Sequence, residues 1–115
     1  MSIENVTEDI LVATLPDDMQ VNKTLKEVNE LISSGRDCNV IIDFSRIEFI
    51  TSSSISNLHI LRDLLNKSGH NLILCQVAMP TKCVFRILGI EEIYTFADDK
   101  YLAMDILQGE TSPSD

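Results

Sequence analysis

The run Val40-Ile41-Ile42-Asp43-Phe44 is apolar at nearly every position. A strand with one wet face alternates apolar and polar residues, so an unbroken run predicts a strand covered on both faces. Leu72-Ile73-Leu74-Cys75 has the same character. The segments around these runs carry the helical period instead. Leu25, Val28, Leu31 and Ile32 make one apolar face from about Lys23 to Ser33, with Thr24 and Glu27 at capping-box spacing and Gly35 as the stop. Ile55, Leu58, Leu61, Leu64 and Leu65 do the same from about Ser53 to Lys67, before Gly69.

The ends of the chain extend the pattern. Ile10 to Leu15 reads as a strand stopped by Pro16-Asp17-Asp18, and a weaker strand is expected from Ile3 to Val6. Thr81 to Leu88 reads as a short helix ended by Gly89, followed by a brief edge strand at Tyr94-Thr95-Phe96. Asp98 is then expected to cap a last helix with Leu102, Ala103, Ile106 and Leu107 inward, ending at Gly109. Strands alternating with helices imply a mostly parallel sheet with right-handed crossovers, here a small α/β sandwich. Residues 1–109 are expected to form one domain, and the apolar-free tail Glu110 to Asp115 to be mobile.

Nine basic against eighteen acidic residues give a net charge of −9. Such a surface repels nucleic acid phosphates and anionic lipid headgroups, so neither is expected as a direct partner. It attracts a basic protein, and it also simply favours solubility. No stretch approaches a membrane span, and the N-terminus lacks the basic and apolar segments of a signal peptide, which makes the cytoplasm the default location. Cys38, Cys75 and Cys83 have no Cys-x-x-Cys spacing, and with His59 and His70 they form no recognisable zinc set. They read as buried free thiols.

Catalytic signatures are missing, and the chain is not expected to be an enzyme. The four glycines all look like helix stops, so there is neither a phosphate-binding loop nor a nucleophile elbow. His59 lies six residues beyond Ser53 on the same helix, too far round and along to act as its base, and fits the helix's polar outer face. Asp17-Asp18 reads as turn chemistry and Asp98-Asp99 as a helix start. No metal or cofactor is called for.

What stands out is Thr51-Ser52-Ser53-Ser54-Ile55-Ser56, a hydroxyl-rich loop opening a helix just beyond a buried strand. In an open α/β sheet ligands and partners meet the loops past the carboxyl ends of the strands. The hydroxyls there have three readings: helix caps, an anion site, or acceptors of a phosphate. As caps, Ser52 or Ser53 would hold the helix start while Ser54 and Ser56 face solvent.

From Ile10 to Leu107 the chain resembles the STAS domain of bacterial anti-sigma-factor antagonists. The likeness centres on Val40-Ile41-Ile42-Asp43-Phe44-Ser45 followed by Phe49-Ile50-Thr51-Ser52-Ser53-Ser54-Ile55. The family pattern there is an apolar strand, Asp, apolar, Ser, then aromatic, apolar, Asp-Ser-Ser-Gly-apolar-Gly. Val84 to Ile90 and Tyr94 to Asp99 fit the family's third helix and the approach to its last one. The resemblance implies a mostly parallel four- to five-stranded sheet with about four helices. It also implies a partner, an anti-sigma factor that is a serine kinase of the GHKL fold, and a PP2C-type phosphatase that reverses the modification.

By position the phosphate acceptor is Ser53, with Ser52 and Thr51 as alternatives. Thr51, Ser52, Ser54, Ile55 and Ser56, with Asp17 and Asp18 from the neighbouring strand end, would form the docking face. Thr51 stands where the family has Asp, Ser54 and Ser56 stand where it has Gly, and Leu15-Pro16-Asp17-Asp18-Met19 departs from the family's Gly-Glu-Leu-Asp. These departures keep open a second role, a docking subunit with no phosphate cycle, similar to the small STAS components of ABC lipid-transport complexes.

Overall fold

The computed structural model describes residues 3–109. Five strands form one sheet in sequence order: β1 (Ile3–Thr7), β2 (Ile10–Thr14), β3 (Asn39–Asp43), β4 (Leu72–Cys75) and β5 (Thr95–Ala97). Among the described residues β1 alone is antiparallel, pairing with β2 as an edge strand; β2, β3, β4 and β5 are mutually parallel. Helices α1 (Val21–Ser33), α2 (Ser52–Lys67) and α3 (Met79–Ile87) are the crossovers between them, and α4 (Lys100–Gln108) follows β5. Parallel strands laid down in order by right-handed crossovers place all three connecting helices on one face.

The period of two along each strand shows why the runs are unbroken. Leu11 and Ala13 of β2, Val40 and Ile42 of β3, and Leu72 and Leu74 of β4 point into the larger core under α1, α2 and α3. Ile10, Val12, Ile41, Ile73 and Cys75 point the other way, against Ala103, Met104 and Leu107 of α4. Both faces of the central strands β2, β3 and β4 are dry because α4 folds back under the sheet, while the edge strands β1 and β5 stay largely open.

Several boundaries differ from the sequence reading. The Thr24–Glu27 capping box does not form: α1 starts earlier, at Val21, and Thr24 is buried within it. Asp17 takes over the turn, its Oδ1 accepting from the amides of Met19 (2.9 Å) and Gln20 (3.0 Å). Helix α3 begins two residues before Thr81, since Pro80 fits a first turn where no amide is needed. Asp99, not Asp98, caps α4, accepting from the Leu102 amide at 2.9 Å. Leu102 and Ile106, expected inward, are turned outward, because Ala103, Met104 and Leu107 form the face that packs on the sheet.

The expected strand at 94–96 runs instead over Thr95–Ala97, preceded by a 3-10 turn at Glu91–Ile93. Tyr94 is buried there, packed edge-on to Phe85 and bonded through its hydroxyl to His59 Nδ1 at 2.7 Å. His59 is therefore tied to the core's edge rather than turned wholly to solvent. Cys38 and Cys75 are buried as expected; Cys83 is exposed on α3, because the neighbouring turn presents Thr81 and Phe85 inward. Gly69 and Gly109 end α2 and α4 with positive φ, which side chains disfavour. The tail Glu110 to Asp115 lies outside the described residues.

Candidate functional site

The carboxyl ends of β2, β3 and β4 open onto one rim, and the serine loop sits at its centre. Strand β3 ends at Asp43, whose buried carboxylate accepts from the Ser45 amide at 2.8 Å and turns the chain out of the sheet. Phe44 and Ile47 then reach back into the core while Ser45, Arg46, Glu48 and Phe49 face solvent. Thr51, extended at φ −103° and ψ 165°, begins α2.

Thr51 is the helix cap. Its Oγ1 accepts from the Ser54 amide at 3.2 Å, and no serine of the loop performs that task. Ser54 is not a surface residue either: only 3% of it is exposed. Its hydroxyl donates to Asn22 Oδ1 on α1 at 2.9 Å and lies 3.0 Å from Thr51 Oγ1. A serine has one hydroxyl proton, so with that proton on Asn22, Thr51 is the donor in the Thr51–Ser54 contact.

The same Asn22 oxygen accepts from Asn57 Nδ2 at 3.0 Å, and Asn29 Nδ2 donates to the Asn57 carbonyl at 3.2 Å. A polar seam thus runs between α1 and α2 directly beneath the serine loop. Asn22, Asn29 and Asn57 escaped the sequence reading. A signal was present, because Asn22 and Asn29 are seven residues apart on one helix face and Asn57 follows Ser54 by three.

The hydroxyls divide accordingly. Thr51 and Ser54 are engaged; Ser52, Ser53 and Ser56 are exposed. Of the amides at the helix start, that of Ser54 is met by the cap and that of Ile55 bonds the Thr51 carbonyl, leaving those of Ser52 and Ser53 without an intrahelical acceptor. An anion beside them is favoured by free donors and by the helix dipole. Ile55, expected on the docking face, is 7% exposed and packs inward, so neither it nor Ser54 presents a contact surface.

Asp17 and Asp18 do stand exposed at the neighbouring strand end. Asp18 Oδ1 accepts from the Glu48 amide at 3.1 Å, binding the β2–α1 loop to the serine loop. On the other side Thr81 Oγ1 donates to the Glu48 carbonyl at 3.1 Å. Two loops and the first turn of α3 are joined at one residue. Nearby, burial and, secondarily, the Asp43 carboxylate push the Cys75 thiol up to about 12, so it is a neutral packing group. Among the described residues no cluster of His, Cys, Asp or Glu could hold a metal ion, and no helix is long and apolar enough to cross a membrane.

A mostly parallel sheet with three crossover helices on one face and a hydroxylated helix start at its carboxyl rim defines an α/β domain of the STAS type. The chain belongs to the STAS domain family, whose model matches residues 5–103. Among solved structures it is similar to a proposed anti-sigma factor antagonist of Thermotoga maritima, with 15% identity, 92% of each chain covered and a TM-score of 0.79. It is similar also to the anti-sigma factor antagonist SpoIIAA in its unphosphorylated form, with 22% identity, 93% of this chain and 96% of that one covered and a TM-score of 0.73. The phosphorylated form of the Bacillus protein SpoIIAA aligns over 90% of this chain and 96% of its own at 22% identity, with a TM-score of 0.67. No curated protein sequence matches at a significant level.

Proposed function

We propose that this protein is a phosphorylation-controlled binding switch acting in the cytoplasm, with a binding rather than an enzymatic role. In its unphosphorylated form it binds an anti-sigma factor that is also a serine kinase of the GHKL fold. Ser53 is the acceptor, and a PP2C-type phosphatase restores the binding form. The observation that supports this reading is the division of the hydroxyls: Ser52 and Ser53 are free and exposed while Thr51 and Ser54 hold the helix start.

A phosphate on Ser53 adds ~1.5 to 2 negative charges without touching the cap or the core. The fold survives, and a partner pressed on the rim meets a hydrated dianion. Incubation with the cognate kinase and ATP, followed by mass spectrometry, should place the phosphate on Ser53. Ser53→Asp should cut kinase affinity by about a hundredfold, a typical coupling scale, with an unchanged circular dichroism spectrum. Absence of phosphate from residues 51–54, where the kinase modifies other substrates, would overturn the proposal.

A second reading, a constitutive docking subunit of an ABC lipid-transport complex, draws support from Thr51 and Ser54 standing where the family carries Asp and Gly. In that case Ser53→Asp would only weaken binding.

A further inference from the structure

Phe49, Met19 and Met79 are 65%, 95% and 67% exposed; Phe49 and Met19 come from the loops after β3 and β2, and Met79 opens α3, the helix after β4. All three segments follow the carboxyl ends of adjacent strands, ~4.8 Å apart, at the same rim. The residues also share a structural circumstance. Met19 follows Asp18, which holds the Glu48 amide; Met79 lies two residues before Thr81, which holds the Glu48 carbonyl; and Phe49 follows Glu48 itself. Thr81 is 1% exposed, so water does not compete for its bond. The backbone on both sides of Glu48 is therefore fixed, and the ring of Phe49 is presented to solvent from a braced stem.

We propose that Phe49, flanked by Met19 and Met79, is the apolar anchor of the serine-loop face, and that it enters a pocket on a protein partner rimmed by Lys or Arg. The inference rests on the functional reading above and specifies the partner's contact chemistry. An aromatic carried on a fixed backbone loses little main-chain freedom on binding, and aromatic side chains dominate interface energetics. Adaptable methionines around it shape themselves to the pocket wall. The occupant follows from charge. Asp17, Asp18 and Glu48 are exposed around the patch, with Arg46 as a cation of the same loop, and the chain carries −9 overall. That field repels anionic lipid, nucleic acid and a second copy of this chain, and attracts a basic protein rim. A phosphate on Ser53, four residues along, hydrates the edge of this apolar contact and opposes its burial.

The test titrates the full chain by calorimetry against each purified GHKL-fold serine kinase of the source genome. Binding should occur with one of them and weaken as salt rises. Phe49→Ala should lose about thirtyfold or more in affinity, the range of an interface hot spot. Met19→Ala and Met79→Ala should each lose less. Thr81→Val keeps all three apolar side chains but frees the Glu48 carbonyl; it should weaken binding and raise hydrogen exchange at the neighbouring amides. Ile106→Ala, an exposed apolar change on α4, should leave affinity unchanged. If Phe49→Ala binds as tightly as wild type, the anchor is disproved while the switch stands. If no kinase binds the wild-type chain, both fall. If Phe49→Ala instead dissociates a self-assembled species in sedimentation, the occupant is a second copy and the proposal is wrong.

Discussion

Ser54 carries the clearest lesson at the scale of single residues. Each residue of an α-helix turns 100° from the last, so the buried stripe of Leu58, Leu61 and Leu65 decides which hydroxyls face in. Ser54 precedes Leu58 by four and Leu61 by seven, so it shares their face, turns beneath α1 and bonds Asn22, while Thr51 takes the cap. That a hydroxyl-rich helix start existed was legible in the residues. The period also marked Ser54 as the inward one; what it did not show was its partner, 32 positions away in sequence. Asn22→Ala should therefore leave the Ser54 hydroxyl and the Asn57 amide group short of an acceptor. About 1–3 kcal/mol of stability should be lost, as for a half-removed buried hydrogen bond, measurable by urea unfolding. A loss below ~0.5 kcal/mol, the usual scale of a neutral surface change, would mean the seam is not structural.

At the scale of elements, capping chemistry was read correctly in kind and misplaced by a residue or a turn. Both Asp98 and Asp99 are favoured N-caps, and sequence alone cannot choose between adjacent aspartates. The fold chooses Asp99, and the packing of Ala103, Met104 and Leu107 on the sheet sets the rotation of α4, which leaves Leu102 and Ile106 exposed. Asp99→Ala should lower the melting temperature by an amount matching ~1 kcal/mol, the usual worth of a cap. Asp98→Ala should leave it nearly unchanged. Equal effects would place the helix start elsewhere. The capping box at Thr24 and Glu27 failed for a related reason: Asp17 captures the chain earlier, and Thr24 is drawn into the core.

For the molecule as a whole, burial on both sheet faces leaves a titration signature. Burial above all, and Asp43 next, push the Cys75 thiol up to about 12, and burial pushes the Tyr94 phenol up to about 12. Raised acids favour the protonated folded state, so their contribution is complete below the ordinary values of 9.0 and 10.0 and fades as pH climbs toward 12. Stability should hold through neutral pH and fall above about pH 9, by roughly 1.4 kcal/mol per unit of displacement in each group. Cys75→Ala should flatten the slope of unfolding free energy against pH between 9 and 12 relative to wild type. An unaltered slope would show the thiol to be accessible in the native state.

Local pattern was sufficient for everything that depends on period. Unbroken apolar runs at 40–44 and 72–75 announced a two-sided sheet, helical spacing supplied the crossovers, and glycines marked the stops. Contacts between distant segments decided the rest: the polar seam beneath the serines, the outward turn of Cys83, the burial of Tyr94 against His59 and the bracing of Glu48 by another loop and by α3. Periodicity records which way a side chain points relative to its own element. The rim where this protein is proposed to meet its partner is assembled from three elements at once, and only folding brings their groups within bonding distance.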